Sequence, residues 1–134
     1  MQIRKLYESD IAALINILIL NGQYDYPEVE GGESMKRVAN CDAAVFLVAE
    51  IEGKPCGFIK AIYDGSRALI HLLSIHPDFQ GKGVGTELVN AVKNELRKRG
   101  ANTFSVTVTD ESSKFWEKQG FRKLPVFVML DDER

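Results

Sequence analysis

Two hydrophobic periods alternate along the chain, and their alternation sets the order of elements. Gln2–Leu6 alternates polar and apolar side chains over strand length. Asp10 then stands at an N-cap position ahead of Ile11, Leu14, Ile15 and Leu18, which recur at helical spacing. Residues 21–33 have a loop composition, with Gly22, Pro27, Gly31 and Gly32 among two tyrosines and four acids, and Ser34–Ala39 fits a short second helix. From Ala43 the period falls to that of strands. Ala43–Ile51 and Pro55–Tyr63 are separated by Glu52, Gly53 and Lys54, the spacing of a hairpin, and Arg67–Ile75 follows a turn at Asp64 and Gly65. Three such runs in succession predict an antiparallel meander.

Beyond Pro77 the helical period returns. Val84, Leu88, Ala91, Val92 and Leu96 share one face, Lys93, Arg97, Lys98 and Arg99 come late in the helix, and Gly100 is a C-terminal stop. Thr103–Val108 is β-branched and strand-like, Glu111–Gln119 reads as a two-turn helix closed by Gly120, and Val126–Leu130 reads as a last strand. The predicted order is β-α-α-β-β-β-α-β-α-β, an α/β fold with a mixed sheet. No linker, repeat or low-complexity tract interrupts it, so residues 1–134 are expected to form a single domain.

Composition narrows the function classes. An apolar fraction of 45% with 27% charged residues is the balance of a globular protein. A net charge of −2 gives no field that would draw in a nucleic acid. The longest apolar stretch, Ile11–Leu20, is half of what a bilayer span needs, and Glu8 and Asp10 occupy the place of a signal-peptide n-region. Cys41 and Cys56 lack the clustering of a metal site or a disulfide framework and read as free thiols. The expectation is a cytoplasmic protein with neither nucleic-acid nor membrane partners and no metal.

The chemistry is concentrated between Ser74 and Thr86, where a strand end turns through Gly81, Gly83 and Gly85 into the long helix. Glycines let a ligand approach the backbone, and the first helical turn offers unpaired N–H groups and a positive dipole end. That combination binds phosphate or pyrophosphate, although a three-glycine turn with no ligand is as common a use of such residues. A dinucleotide fingerprint fails because Thr86 stands where its third glycine is required, and a Walker A loop fails because Gly83, not Ser or Thr, follows Lys82.

The pattern that does match is Gln80-x-x-Gly83-x-Gly85, and here the chain resembles the GNAT superfamily of acyl-coenzyme A-dependent N-acyltransferases. The likeness extends to Ile3-Arg4, the Asp10-Ile11 helix start, the meander, His76-Pro77-Asp78-Phe79-Gln80 and Phe115-Trp116-Glu117-Lys118-Gln119-Gly120-Phe121, nearly the whole chain. The resemblance implies a GNAT-type, mostly antiparallel sheet flanked by helices, and acetyl-coenzyme A as cofactor. It implies that the backbone of Leu73, Ser74 and Ile75 lines the pantetheine arm, with one N–H polarising the thioester carbonyl. It further implies that Gln80, Gly81, Lys82, Gly83, Val84, Gly85 and Thr86 wrap the pyrophosphate, with the amides of 81, 83 and 85 foremost. Lys82 reads equally well as a solvated surface lysine.

Attack on a thioester needs an unprotonated amine, and a general base is useful because an alkylamine is mostly protonated near neutrality. Many family members carry a Glu near the cofactor strand, but Arg67–Ile75 holds no acid. His71 is the titratable candidate there, and the aralkylamine-acetylating branch resembles this arrangement, with a histidine nine residues before the first motif position. A packed, hydrogen-bonded histidine is the competing reading. His76 reads as structural.

Trp116 stands where the family motif usually has a tyrosine acid, and an indole N–H cannot protonate a thiolate. Water or Tyr63 is left to supply that proton, or the thiolate leaves unassisted. Ser112 and Trp116 are expected beside the cofactor, with Thr109 and Ser112 standing where Asn and Ala are usual, while Phe115 reads as core.

Tyr24, Asp25, Tyr26, Glu28, Glu30 and Glu33, with no basic residue between 21 and 33, suggest an entrance for a cationic amine, against a solvated loop whose acids touch nothing. The acceptor would be a small amine, or a peptide amino terminus or lysine. Hydrophobic sheet edges and the last strand are compatible with a homodimer. Two other functions fit the residues: an acyl-coenzyme A sensor without turnover, and a nucleotide- or phosphate-binding protein using the glycine loop alone.

Overall fold

The computed structural model describes residues 1–133. Strands β1 (Gln2–Lys5), β2 (Ala44–Ile51), β3 (Lys54–Tyr63), β4 (Ala68–Ile75) and β5 (Phe104–Val106) form one sheet in chain order. The first four pair antiparallel, and β5 runs parallel to β4. Helices α1 (Ile11–Leu20), α2 (Pro27–Glu30) and α3 (Gly32–Ala39) precede the meander, α4 (Val84–Lys98) follows it, and α5 (Ser113–Lys118) comes after β5. None of the described helices is long and apolar enough to cross a membrane.

Strand alternation sends two sets of side chains to opposite faces. Phe46, Val48 and Phe58 meet Leu14, Ile17 and Leu18 of α1 and Met35 of α3. On the other face Ile59, Ala61 and Ile70 meet Val84, Leu88, Val92 and Leu96 of α4.

The register is broken once between β3 and β4. Lys60 pairs with Leu72 and Ala61 with Ile70, so His71 is an extra residue on β4. This bulge coincides with the end of the parallel pairing, because β5 reaches only Ala68, Leu69 and Ile70. Past His71 the two strands part, and the second half of β4 becomes an open edge inside the molecule. A bulge bends and twists its strand, which accounts for the separation.

Two expectations change. Asp10 does not cap α1: its backbone is already helical and its carboxylate turns back to the Tyr7 N–H at 2.8 Å and to Arg4 at 2.8 and 3.0 Å. Val126–Leu130 is not a strand. The chain turns tightly at Pro125, with the Val126 N–H on the Leu124 carbonyl, and the five apolar side chains that follow are 72–93% exposed. A β-rich run becomes a strand only where a partner edge meets it, and this run leads instead to α2, where the Tyr26 hydroxyl meets Asp132 at 3.2 Å.

Candidate active site

The parting of β4 and β5 opens a cleft of about 660 Å³. One wall is the end of β4. The His76 N–H bonds to the Cys56 carbonyl at 2.8 Å, and pairing alternates from there, so the peptide groups of Ser74 face β3 while those of Leu73 and Ile75 face the cleft. The facing wall comes from Thr109, Glu111, Ser112 and Phe115, and one end is closed by Phe79, Gln80 and the glycine-rich turn.

Gly81 and Gly83 have φ of +75° and +85°, a region that costs a side-chain-bearing residue about 1–2 kcal/mol. Gly83 is the N-cap of α4 and its carbonyl takes the Glu87 N–H at 3.1 Å. Among the described residues, the N–H groups of residues 81–86 donate to no protein acceptor. These donors, at the positive end of a four-turn helix, suit a phosphate group.

The floor is a network of side-chain amides. α1 ends in a Schellman motif: Gly22 has φ +66°, its N–H reaches the Ile19 carbonyl at 3.1 Å, and the Gln23 N–H reaches that of Leu18 at 2.8 Å. This stop delivers Asn21 and Gln23 to the end of β4. Asn21 Nδ2 donates to Ser74 Oγ at 2.9 Å and to the Ile75 carbonyl at 2.8 Å. Ser74 Oγ donates to Gln23 Oε1 at 2.6 Å, and Gln80 Nε2 donates to Asn21 Oδ1 and the Ile75 carbonyl. Gln80 thereby ties the start of the glycine turn to the strand.

Of the residues expected at the cofactor, Leu73, Ser74, Ile75, Gln80, Gly81, Gly83, Gly85, Thr86 and Ser112 line the cleft. Val84 sends its side chain into the core, leaving only its amide at the helix start. Lys82 lies over the Phe79 ring at 5.7 Å and outside the lining. Trp116 is a correction: 6% exposed, it packs edge-on between Phe115 and Phe121 and lines no part of the cleft. Phe115 is the aromatic of α5 that does so, because the one-residue step along α5 turns one ring to the cleft and the next to the core. Tyr63 is equally remote, its hydroxyl on the Gly65 carbonyl at 3.1 Å. Asn21, Gln23 and Glu111 escaped the sequence reading; an Asn-Gly pair after an apolar helix signals a C-cap, but not what the cap touches.

His71 sits exposed at the bulge on the α2 side of the sheet, outside the cleft lining. Partial burial and then the Lys60 cation hold its pKa below the ordinary value, while Glu30 opposes them. Lys60, 6% exposed on β3, forms an ion pair with Glu30 of α2 and lies 6.0 Å from the Phe46 ring. His76 caps the turn at Pro77–Phe79, its Nδ1 accepting the Asp78 N–H at 3.0 Å.

A second cavity of about 490 Å³ adjoins the first, lined by Gln23, Asp25, Tyr26, Glu28, Val29, Glu30 and the terminal Leu130, Asp131 and Asp132. The acids of the loop therefore do come together, except Glu33, which pairs with Lys36 outside the cavity.

Solved structures share this architecture. The paia N-acetyltransferase of Thermoplasma acidophilum, crystallised in complex with coenzyme A, superposes with a TM-score of 0.83 at 21% identity, covering 94% of this chain and 92% of that one. A transcriptional regulator from Bacillus halodurans C-125 gives the same score and identity over 97% and 98% of the two chains. Glucosamine-6-phosphate N-acetyltransferase from Arabidopsis thaliana gives 0.76 at 21% identity over 98% and 97%. At these identities the likeness is one of fold. The family described as "Acetyltransferase (GNAT) domain" matches residues 25–126, from the acidic loop through the meander, glycine turn and α5, and the chain belongs to that family.

Proposed function

We propose that the protein transfers an acetyl group from acetyl-coenzyme A to a primary amine in a ternary complex. The observation that carries this reading is the cleft itself, where the outward peptide edge of Leu73 and Ile75 and the unpaired amides of Gly81, Gly83, Gly85 and Thr86 line a single space. An extended arm with amide groups and a phosphate terminus matches both in order. The fit extends to Gly85, where a Cβ would stand 3.1 Å from the Phe115 ring.

When bound, acetyl-coenzyme A supplies a thioester carbonyl open to attack. The chain supplies the rest. The helix start and glycine turn hold the phosphates, and the strand edge orients the arm and offers an N–H to the carbonyl oxygen. In the transfer an amine nitrogen bonds to the acyl carbon, the carbon–sulfur bond breaks with its electron pair on sulfur, and one amine proton ends on that sulfur. His71, kept neutral near pH 7, is the base that relieves the amine of its proton, reached through water from the cleft. Among the described residues, Glu111 is the one acidic side chain that lines the cleft, and no histidine, cysteine, lysine or tyrosine lines it. The thiolate therefore leaves without a protein acid, which its modest basicity allows.

The acceptor is a cationic amine. Its cavity is lined by Asp25 and Asp131 together with Tyr26, Glu28, Glu30 and Asp132. The test is calorimetric titration with acetyl-coenzyme A, followed by thiol release with polyamines, aralkylamines, aminoglycosides, amino sugars and peptides. Binding with amine-dependent release is expected. Binding without release from any amine would make the protein a sensor, and no binding would end the reading.

A further inference from the structure

Gln23 is the residue that lines both cavities. Its backbone is held by the Schellman stop of α1, so its side chain has a fixed origin over the end of β4. The orientation of its amide is also decided. Asn21 Nδ2 can only donate, so Ser74 Oγ accepts from it at 2.9 Å and spends its single proton on Gln23 at 2.6 Å. Gln23 therefore turns its oxygen to Ser74, and its nitrogen makes a long 3.4 Å contact to the Leu73 carbonyl. Ser74 is 2% exposed, so water does not compete for that hydroxyl.

An amide oxygen has two lone pairs, and Ser74 uses one. We propose that the second receives an N–H of the attacking amine at the junction of the two cavities, making Gln23 a substrate-contacting residue of the transfer and Ser74 the positioning residue behind it. This rests on the transferase reading. An amine approaching from the acidic cavity meets Gln23 before it can reach a carbonyl held at Leu73. A hydrogen bond from one N–H fixes the direction of the nitrogen lone pair, which proximity alone leaves free. The carboxylates of the cavity supply attraction without that direction, since none of them lines the cleft at Leu73.

The experiment compares wild type with Gln23→Leu, Gln23→Glu and Ser74→Ala. Acetyl-coenzyme A affinity is measured by calorimetry, and kcat and KM with 1,4-diaminobutane, kanamycin, glucosamine 6-phosphate and a lysine peptide, using whichever turns over in wild type. Gln23→Leu is expected to bind acetyl-coenzyme A within about twofold of wild type and to lose about thirtyfold in kcat/KM for the amine, the worth of one hydrogen bond to a nitrogen that gains positive charge as it attacks. Gln23→Glu keeps the accepting oxygen and returns to within about fivefold. Ser74→Ala lets the amide flip and falls between the two, with cofactor affinity unchanged, and it stands in for Gln23→Leu should that variant not fold. Wild-type kcat/KM in Gln23→Leu overturns the proposal and leaves the transferase reading intact. So does a parallel loss of cofactor binding and turnover, which would put Gln23 on the cofactor instead. A wild type that turns over none of the amines overturns the transferase reading and this inference with it.

Discussion

Gly85 of α4 and Phe115 of α5 touch across the wall of the cleft, so closely that a Cβ on Gly85 would lie 3.1 and 3.2 Å from two atoms of the ring. Replacing Gly85 by Ala favours the helix by about 1 kcal/mol but pushes the ring toward the cleft. We expect Gly85→Ala to keep its thermal stability within about 1 kcal/mol and to weaken acetyl-coenzyme A binding about tenfold. Adding Phe115→Leu should recover most of the affinity. Calorimetry on the single and double variants checks this, and undiminished binding in Gly85→Ala would show that the wall is not used.

Lys60 and Glu30 join the sheet to α2 beside His71. Removing the cation in Lys60→Met leaves a partly buried carboxylate without its partner, at a cost of about 2 kcal/mol. The same change withdraws a charge that disfavours protonation of His71, so its pKa should rise. Glu30→Gln withdraws the opposing charge, and the pKa should fall further below the ordinary value. NMR titration of the ring, assigned with a His76→Gln variant, reads both directions without any acceptor. The acid limb of kcat/KM should move the same way if His71 is the base.

Arg4 clamps Asp10 with two guanidinium N–H groups and reaches Glu50 with Nε at 3.1 Å, tying β1 to β2 and to the start of α1. Asp10 is 4% exposed, so Arg4→Met or Asp10→Asn is expected to cost about 3 kcal/mol in denaturant unfolding. Burial raises the pKa of Asp10, but the Arg4 and Tyr7 hydrogen bonds outweigh it and the net direction is down. A carboxylate with a depressed folded pKa gives stability that is present above its unfolded value and lost as pH falls through the folded one. The denaturant midpoint of Asp10→Asn should therefore fall less steeply with pH below about 4 than that of wild type.

Asp25 and Asp131 approach the second cavity from opposite ends of the chain. The double variant Asp25→Asn/Asp131→Asn should raise KM for a dicationic amine about tenfold at low salt and less at 0.5 M salt, with kcat little changed. A KM that ignores both the substitution and the salt would leave these acids as solvated surface.

Much of the fold was legible because its signals are local. The meander, the long helix and its glycine entry follow from period and punctuation within a dozen residues, and β2, β3, β4 and α4 lie within two residues of where the pattern puts them. Loop composition concealed α2, which is four residues long from Pro27 to Glu30. The strand at Val126–Leu130 was misread because a β-rich pattern records what a segment could do against an edge, not whether an edge is there.

The sequence by itself determined the family, the glycine-rich entry to α4 and the strand that leads to it, since Gln80-x-x-Gly83-x-Gly85 states a backbone requirement that few other residues meet. Tertiary structure alone decided which side chains face the chemistry. A bulge at His71 parts two strands, one step along α5 exchanges Trp116 for Phe115, and the stop of α1 carries Gln23 some fifty positions through the sequence to Ser74. Those outcomes depend on register, on helix rotation and on contacts between distant segments, and hydrophobic period is blind to all three.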